Sequence, residues 1–263
     1  MHAVFSITAI RKRATGLLYA FALCLCAIPA RAETITLIGE DNWYPYSAVK
    51  DGQNRGFAVD VIQAAYAVSN IQVKFIATPY SRCLMLVQSG KELGCFDSLQ
   101  DAALAPNFVF HKEAIFKASI GIYAKTDGPP ANASKLTGRD LRGHAVGVTH
   151  GYTYGSEFEG DTSIQREIAP SDISNLRKLV LGRSSYSLVY TRVVDYLIAT
   201  YPDEFKGKIQ QVGTLIEDKL FVSFSKLRPE SARYADALDK GLRTIRSNGT
   251  YAGIEKKWAN PLP

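Results

Sequence analysis

Several aromatic, basic and acidic side chains of this chain sit at the ends of short apolar runs, where a fold commonly places the groups that meet a small molecule. Trp43 and Tyr46 lie in a loop after the first β-rich run and would form an aromatic wall suited to a flat or apolar ligand portion. Arg82 follows Pro79-Tyr80-Ser81 at the start of a helical segment, where a guanidinium could fork onto an anionic group. The run Thr149-His150-Gly151-Tyr152-Thr153 lies where a strand feeds a helix, so the free N–H groups of Gly151, Tyr152 and Thr153 would hold a carboxylate. Glu40, Asp97 and His150 could in principle exchange protons as acid or base. This is a set for capturing a solute; turnover needs more.

The motifs of turnover are weak. Gly151-Tyr-Thr-Tyr-Gly155 has the outline of a nucleophile elbow with threonine in place of serine, but a helix start explains both glycines. Ser223-Phe-Ser-Lys226 matches Ser-x-x-Lys at chance-level spacing, and there is neither a phosphate-binding glycine loop nor a zinc-type His-Glu-x-x-His. No catalytic residue and no cofactor are assigned. His111, His144 and His150 are too scattered to complete a metal site with Cys83 and Cys95, so no metal is expected.

The start of the chain indicates where it works. Residues 1–32 hold a basic leader (Arg11-Lys12-Arg13), an apolar run from Gly16 to Ile28 and the small-residue pattern Ala30-Arg31-Ala32, which together read as a cleavable secretory signal peptide. That run is short for a bilayer span and none later approaches the ~20 residues required, so no transmembrane segment is expected. Cys24 and Cys26 lack the small residues expected ahead of a lipid-modified cysteine, which favours free export to the periplasm. The leader takes four of the 31 Lys+Arg and no acid, leaving 27 basic against 25 acidic residues, or +2 instead of the full chain's +6. No basic track suggests nucleic acid. Cys83 and Cys95 are the two cysteines left after export, and an even pair in an oxidising compartment invites a disulfide.

Along the segments that must hold these groups, strand and helix patterns alternate. Thr34 to Gly39 is β-rich, Phe57 to Val68 has helical spacing, Ile71 to Ile76 alternates as a half-buried strand does, and a helix from Ser81 to Val87 precedes the strand-like Gly94 to Asp97. After Asp127-Gly-Pro-Pro130 a second series runs through Ala145 to Val148, a helix around Tyr152 to Phe158, a helix from Ile173 to Leu181, a strand from Tyr186 to Tyr190 and a helix through Tyr196. Repeated strand-helix units predict an α/β fold with mainly parallel sheets. Near the end, Ala235, Leu238, Leu242 and Ile245 mark one face of an amphipathic helix, Asn248-Gly249 stops it, and Thr250 would cap a second helix bearing Tyr251, Ile254 and Trp258.

That ending, Asn248-Gly-Thr-Tyr-Ala-Gly-Ile-Glu-Lys-Lys-Trp258, resembles the C-terminal signature of the bacterial extracellular solute-binding proteins of the polar amino acid type. Trp43-Tyr-Pro-Tyr46 with Gly56-Phe-Ala-Val-Asp60, Leu86-Val-Gln-Ser-Gly-Lys91, Leu141 to Val148 and Leu181-Gly-Arg183 are similar to that family's other motifs, in order. The resemblance implies a type II two-lobed periplasmic binding protein with a first lobe of 33–121 and 222–263 and a second of 122–221. Two hinge crossovers would lie near Ile120 to Lys125 and Phe221 to Lys226. A monomer would close on a small polar or anionic organic solute, an amino acid or derivative, and deliver it to an ABC permease. A receptor-facing sensor module and a cyclohexadienyl dehydratase-like enzyme are the alternatives on this fold. Ser98, Gln100 and Thr191 fall at positions that the resemblance makes ligand-facing. The family's carboxylate-binding arginine corresponds to Ala105 or a neighbour and its ammonium-binding aspartate to Thr191, which leaves Arg82 as the expected anchor of the solute's negative group.

Overall fold

A computed structural model describes residues 32–100, 102–128 and 135–259. The leader and its two cysteines lie outside the described residues. From Thr34 onward the chain forms one unit. Its strands are β1 (Glu33–Glu40), β2 (Asn42–Trp43), β3 (Ser47–Lys50), β4 (Gln53–Arg55), β5 (Ile71–Thr78), β6 (Gly94–Leu99), β7 (Phe108–Phe110), β8 (Phe116–Lys125), β9 (Ala145–Thr149), β10 (Gln165–Ala169), β11 (Tyr186–Tyr190) and β12 (Ile209–Ser225). Its helices are α1 (Phe57–Ala67), α2 (Tyr80–Gln88), α3 (Ser156–Gly160), α4 (Asp172–Val180), α5 (Thr191–Thr200), α6 (Pro202–Phe205), α7 (Ser231–Ser247) and α8 (Thr250–Trp258).

Nine strands form one sheet in the order β10-β9-β11-β8-β12-β6-β1-β5, with β7 also on β12. The parallel pairing expected from alternating units holds for β1 with β6 and for β9 with β10 and β11. The middle differs. β12 runs antiparallel to β8 from Ile209 to Leu220 and then antiparallel to β6 from Leu220 to Phe224, so one 17-residue strand joins the two sets of parallel strands. Chain order and sheet order therefore place the ends of β1 and β6 opposite those of β9 and β11.

Helix packing follows the apolar spacing. On α1, Phe57, Val61, Ile62, Ala65 and Tyr66 are buried, and α7 buries Ala235, Leu238, Leu242 and Ile245. The two helices meet at Gly241, where a Cβ would stand 2.1 Å from the Ala65 carbonyl oxygen, so the absence of a side chain permits the approach. Gly249 adopts the left-handed φ of 83° expected after α7. Thr250 does not cap as expected: it is the first helical residue, and its N–H donates to the Asn248 side chain at 3.0 Å. Trp258 anchors α8 through an indole N–H donated to Asp60 at 2.7 Å, with Lys257 2.7 Å from the same carboxylate.

The helix expected from Tyr152 is also corrected. It begins only at Ser156, because Gly151 and Gly155 hold φ near 82° and 88° and break the turn, and it spans five residues. The Tyr152 N–H donates to the Thr149 carbonyl and the Tyr154 N–H to Glu159, so the Tyr152 N–H is already used and the stretch is a loop, not a helix start.

Candidate functional site

The ends of β1, β6, β9 and β11 and the start of α2 surround one pocket, lined by Glu40, Trp43, Tyr80, Asp97, Leu99, Tyr152, Thr153 and Tyr190. Glu40 ends β1 and Tyr190 ends β11; the two strands belong to separate parallel sets that run in opposite senses, so their carboxyl ends face each other across the join made by β8 and β12. Tyr80 opens α2, whose second turn is tied to β6 by the Cys83–Cys95 disulfide. That bridge, expected from the sequence, fixes the helix bearing Tyr80 to the strand bearing Asp97.

Aromatic rings supply half of the lining residues. Trp43 stacks on Tyr46 at 4.3 Å and meets Tyr190 edge-on at 4.8 Å, while Tyr152 meets Tyr80 edge-on at 5.6 Å and Tyr190 at 6.2 Å. Negative π faces of this kind favour cations. The charged members are acids. Asp97 is 7% exposed and neither carboxylate oxygen has a hydrogen-bond partner. Burial pushes its pKa up to about 8; Ser47 opposes that shift without reaching hydrogen-bond geometry, and its own hydroxyl is also unpartnered. Asp97 further holds a left-handed φ of 67°, which side-chain-bearing residues seldom adopt and which turns its carboxylate into the pocket wall.

Glu40 is partly exposed as a residue, but its carboxylate is enclosed, and burial with the nearby Asp172 raises its pKa well above the usual range. The Tyr152 hydroxyl donates to both Glu40 oxygens at 2.8 Å, joining the segment after β9 to the end of β1. Behind them Asp172 opens α4, accepts from Thr149 Oγ1 at 2.5 Å, and is pushed up to about 6 by burial. The Trp43 indole N–H is buried and unpartnered. Unpaired buried acceptors are costly unless something arrives to meet them. Two carboxylates and four aromatic rings make a setting for an organic cation, while the orphan indole N–H calls for an acceptor beside it.

Of the residues expected from sequence, Trp43, Tyr152 and Thr153 line this pocket. Tyr46 lies behind Trp43, stacked 4.8 Å from Phe116 and capped by the Arg192 guanidinium at 5.5 Å. Ser98 faces β12, within 3.0 Å of Ser223 Oγ and 3.3 Å of the Cys95 carbonyl. Gln100 is exposed past the end of β6, and Gly151 packs against Ser81, where a Cβ would stand 2.9 Å from that side chain. Thr191 starts α5, half-buried and outside the lining. Arg82 lies on the exposed side of α2, opposite buried Cys83, and does not line the pocket. His150 is exposed and lines a wider outer groove. Sequence reasoning took Glu40 and Asp97 only as possible proton carriers and passed over Tyr80 and Tyr190. The available signal was an aspartate inside the otherwise uncharged run Gly94-Cys-Phe-Asp-Ser-Leu99.

Among the described residues no cluster of three or more His, Cys, Asp or Glu is placed to hold a metal ion, and no helix is long and apolar enough to cross a membrane.

Residues 35–261 match the sequence profile of the bacterial extracellular solute-binding proteins, family 3. Among solved structures, an ancestral arginine-binding protein bound to arginine superposes with a TM-score of 0.72 at 19% identity, covering 88% of this chain and 100% of that one. A histidine kinase sensor domain similar to periplasmic binding proteins gives 0.74 at 22%, covering 88% and 98%. The arginine-, lysine-, histidine-binding protein ArtJ from Geobacillus stearothermophilus gives 0.71 at 17%, covering 88% and 97%. These likenesses establish the α/β fold of periplasmic binding proteins. No curated protein sequence matches significantly.

Proposed function

The chain belongs to the bacterial extracellular solute-binding proteins of family 3, and from that premise we propose that it captures a small organic cation, a basic amino acid or an amine, in the pocket around Asp97. The carrying observation is the Asp97 carboxylate, buried and unpartnered among aromatic rings. An ammonium or guanidinium would ionise it, supply its missing hydrogen bonds and lie against the π faces of Trp43 and Tyr80. This reading replaces the anionic solute expected from Arg82, since Arg82 is exposed and among the described residues no lysine or arginine lines the pocket.

In this reading the two strand sets joined by β8 and β12 act as two lobes, 33–121 with 222–263 and 122–221, that close over the solute in the periplasm and present it to an ABC permease. The Tyr152 hydroxyl on Glu40 is then a contact across the closed cleft. A sensor role would use the same capture step, and an adjacent sensor-kinase gene in place of permease genes would favour it. Titration calorimetry with arginine, lysine and simple amines tests the capture: Asp97→Asn should weaken binding by about 2–4 kcal/mol, the scale for stranding a desolvated charge. Binding of equal strength in Asp97→Asn would remove the proposal's basis. NMR of the recovered solute should show it unchanged; steady conversion would favour the dehydratase-like alternative.

A further inference from the structure

The pocket around Asp97 is too small to be the whole binding site. Its free volume is about 10 Å3, room for about one water molecule. It shares Glu40 and Tyr80 with an outer groove of about 820 Å3. A solute whose cationic head reaches Asp97 must therefore leave most of its atoms in that groove.

The groove wall is specific in kind. Val49, Pro79, Ile168 and Pro170 give it apolar sides, and Val49 and Ile168 are 46% and 60% exposed, apolar surface that a chain of methylenes would cover. Its charged side chains are Glu40 at the inner end and Asp41, with Tyr80 and His150 the further titratable groups; among the described residues no lysine or arginine lines it. An α-amino acid would bring a carboxylate into a site that offers no cationic side chain to pair with it and two acids to repel it. The geometry points to a linear aliphatic polyamine without a carboxylate as the solute, one ammonium at Asp97 and Glu40, the methylenes along Val49 and Ile168, and a second ammonium at Asp41. The assignment rests on the cation-binding reading above and specifies its substrate class.

Titration calorimetry of the mature chain with n-butylamine, putrescine, spermidine, arginine and lysine tests it. Putrescine and spermidine should bind at least roughly tenfold more tightly than n-butylamine, the scale of one added charge contact, and Asp41→Asn should bring that ratio toward one. Asp97→Asn should weaken every amine. Equal affinity for n-butylamine and putrescine, or an undiminished ratio in Asp41→Asn, would overturn the second ammonium site while leaving cation capture standing. Arginine or lysine binding more tightly than both polyamines would overturn the class in favour of a basic amino acid. Failure of all five to bind would overturn cation capture itself.

Discussion

At the residue scale the unusual members are acids that burial holds neutral. A free aspartate has a pKa near ~3.9, whereas Asp97 is raised to about 8 and Asp172 to about 6. The folded chain thus retains protons that the unfolded chain has released. Stability from Asp97 therefore falls as pH rises from about 4 to 8, by at most ~1.4 kcal/mol per pH unit, with Asp172 adding the same sign up to about pH 6. Asp97→Asn should lessen the fall of stability above pH 6, where Asp172 no longer contributes but the raised carboxyl of Glu40 still does, and should be the more stable protein at pH 8. Urea unfolding from pH 5 to 8 measures this, and parallel curves for parent and variant would refute it. A cationic solute needs the ionised carboxylate, so affinity should rise with pH between 6 and 8. None of this could be read from residue type alone. An aspartate in a strand-like run is ordinarily an edge residue, and neither the burial of Asp97 inside β6 nor its left-handed φ is encoded in apolar spacing.

At the element scale, the helices were legible and the long central strand was not. The spacing of Ala235, Leu238, Leu242 and Ile245 set the buried face of α7, and Gly249 its end. β12 eluded the same reading because Ile209 to Leu220 crosses polar and apolar residues with broken alternation, its register shifting between Gln211 and Gly213 and again between Thr214 and Ile216. The short α3 is not visible in the spacing around Tyr152 to Phe158, because the positive φ of Gly151 and Gly155 keeps residues 151–155 out of the helix. Two element contacts make predictions. Gly241→Ala should cost about 1–3 kcal/mol by overpacking α7 against the Ala65 carbonyl, read as a lower urea midpoint; an unchanged midpoint would mean that the helices part freely. Replacing Cys83 and Cys95 by serine should cost about 3 kcal/mol and loosen α2 from β6. Thiol labelling of the non-reduced parent should find neither cysteine free.

At the scale of the whole molecule, the sheet order explains why residues as distant in sequence as Glu40, Asp97, Tyr152 and Tyr190 share one pocket: β8 and β12 carry the chain between two sets of parallel strands whose ends face each other. The family was legible from short motifs in order, but the chemistry of its pocket was not, because it depends on which of many aromatics and acids converge. If the two sets are lobes, Tyr152→Phe removes the bond to Glu40 and should shift the solute-free protein toward an open form with a larger radius of gyration by small-angle scattering. The most direct test of cation capture is the melting temperature of the purified mature chain, at pH 7.5, with and without saturating solutes. Putrescine, spermidine or arginine should raise it, since a ligand at about 100 times its Kd adds ~2.7 kcal/mol, and the rise should be lost in Asp97→Asn. Stabilisation by succinate or glutamate alone, abolished by Arg82→Ala, would contradict it.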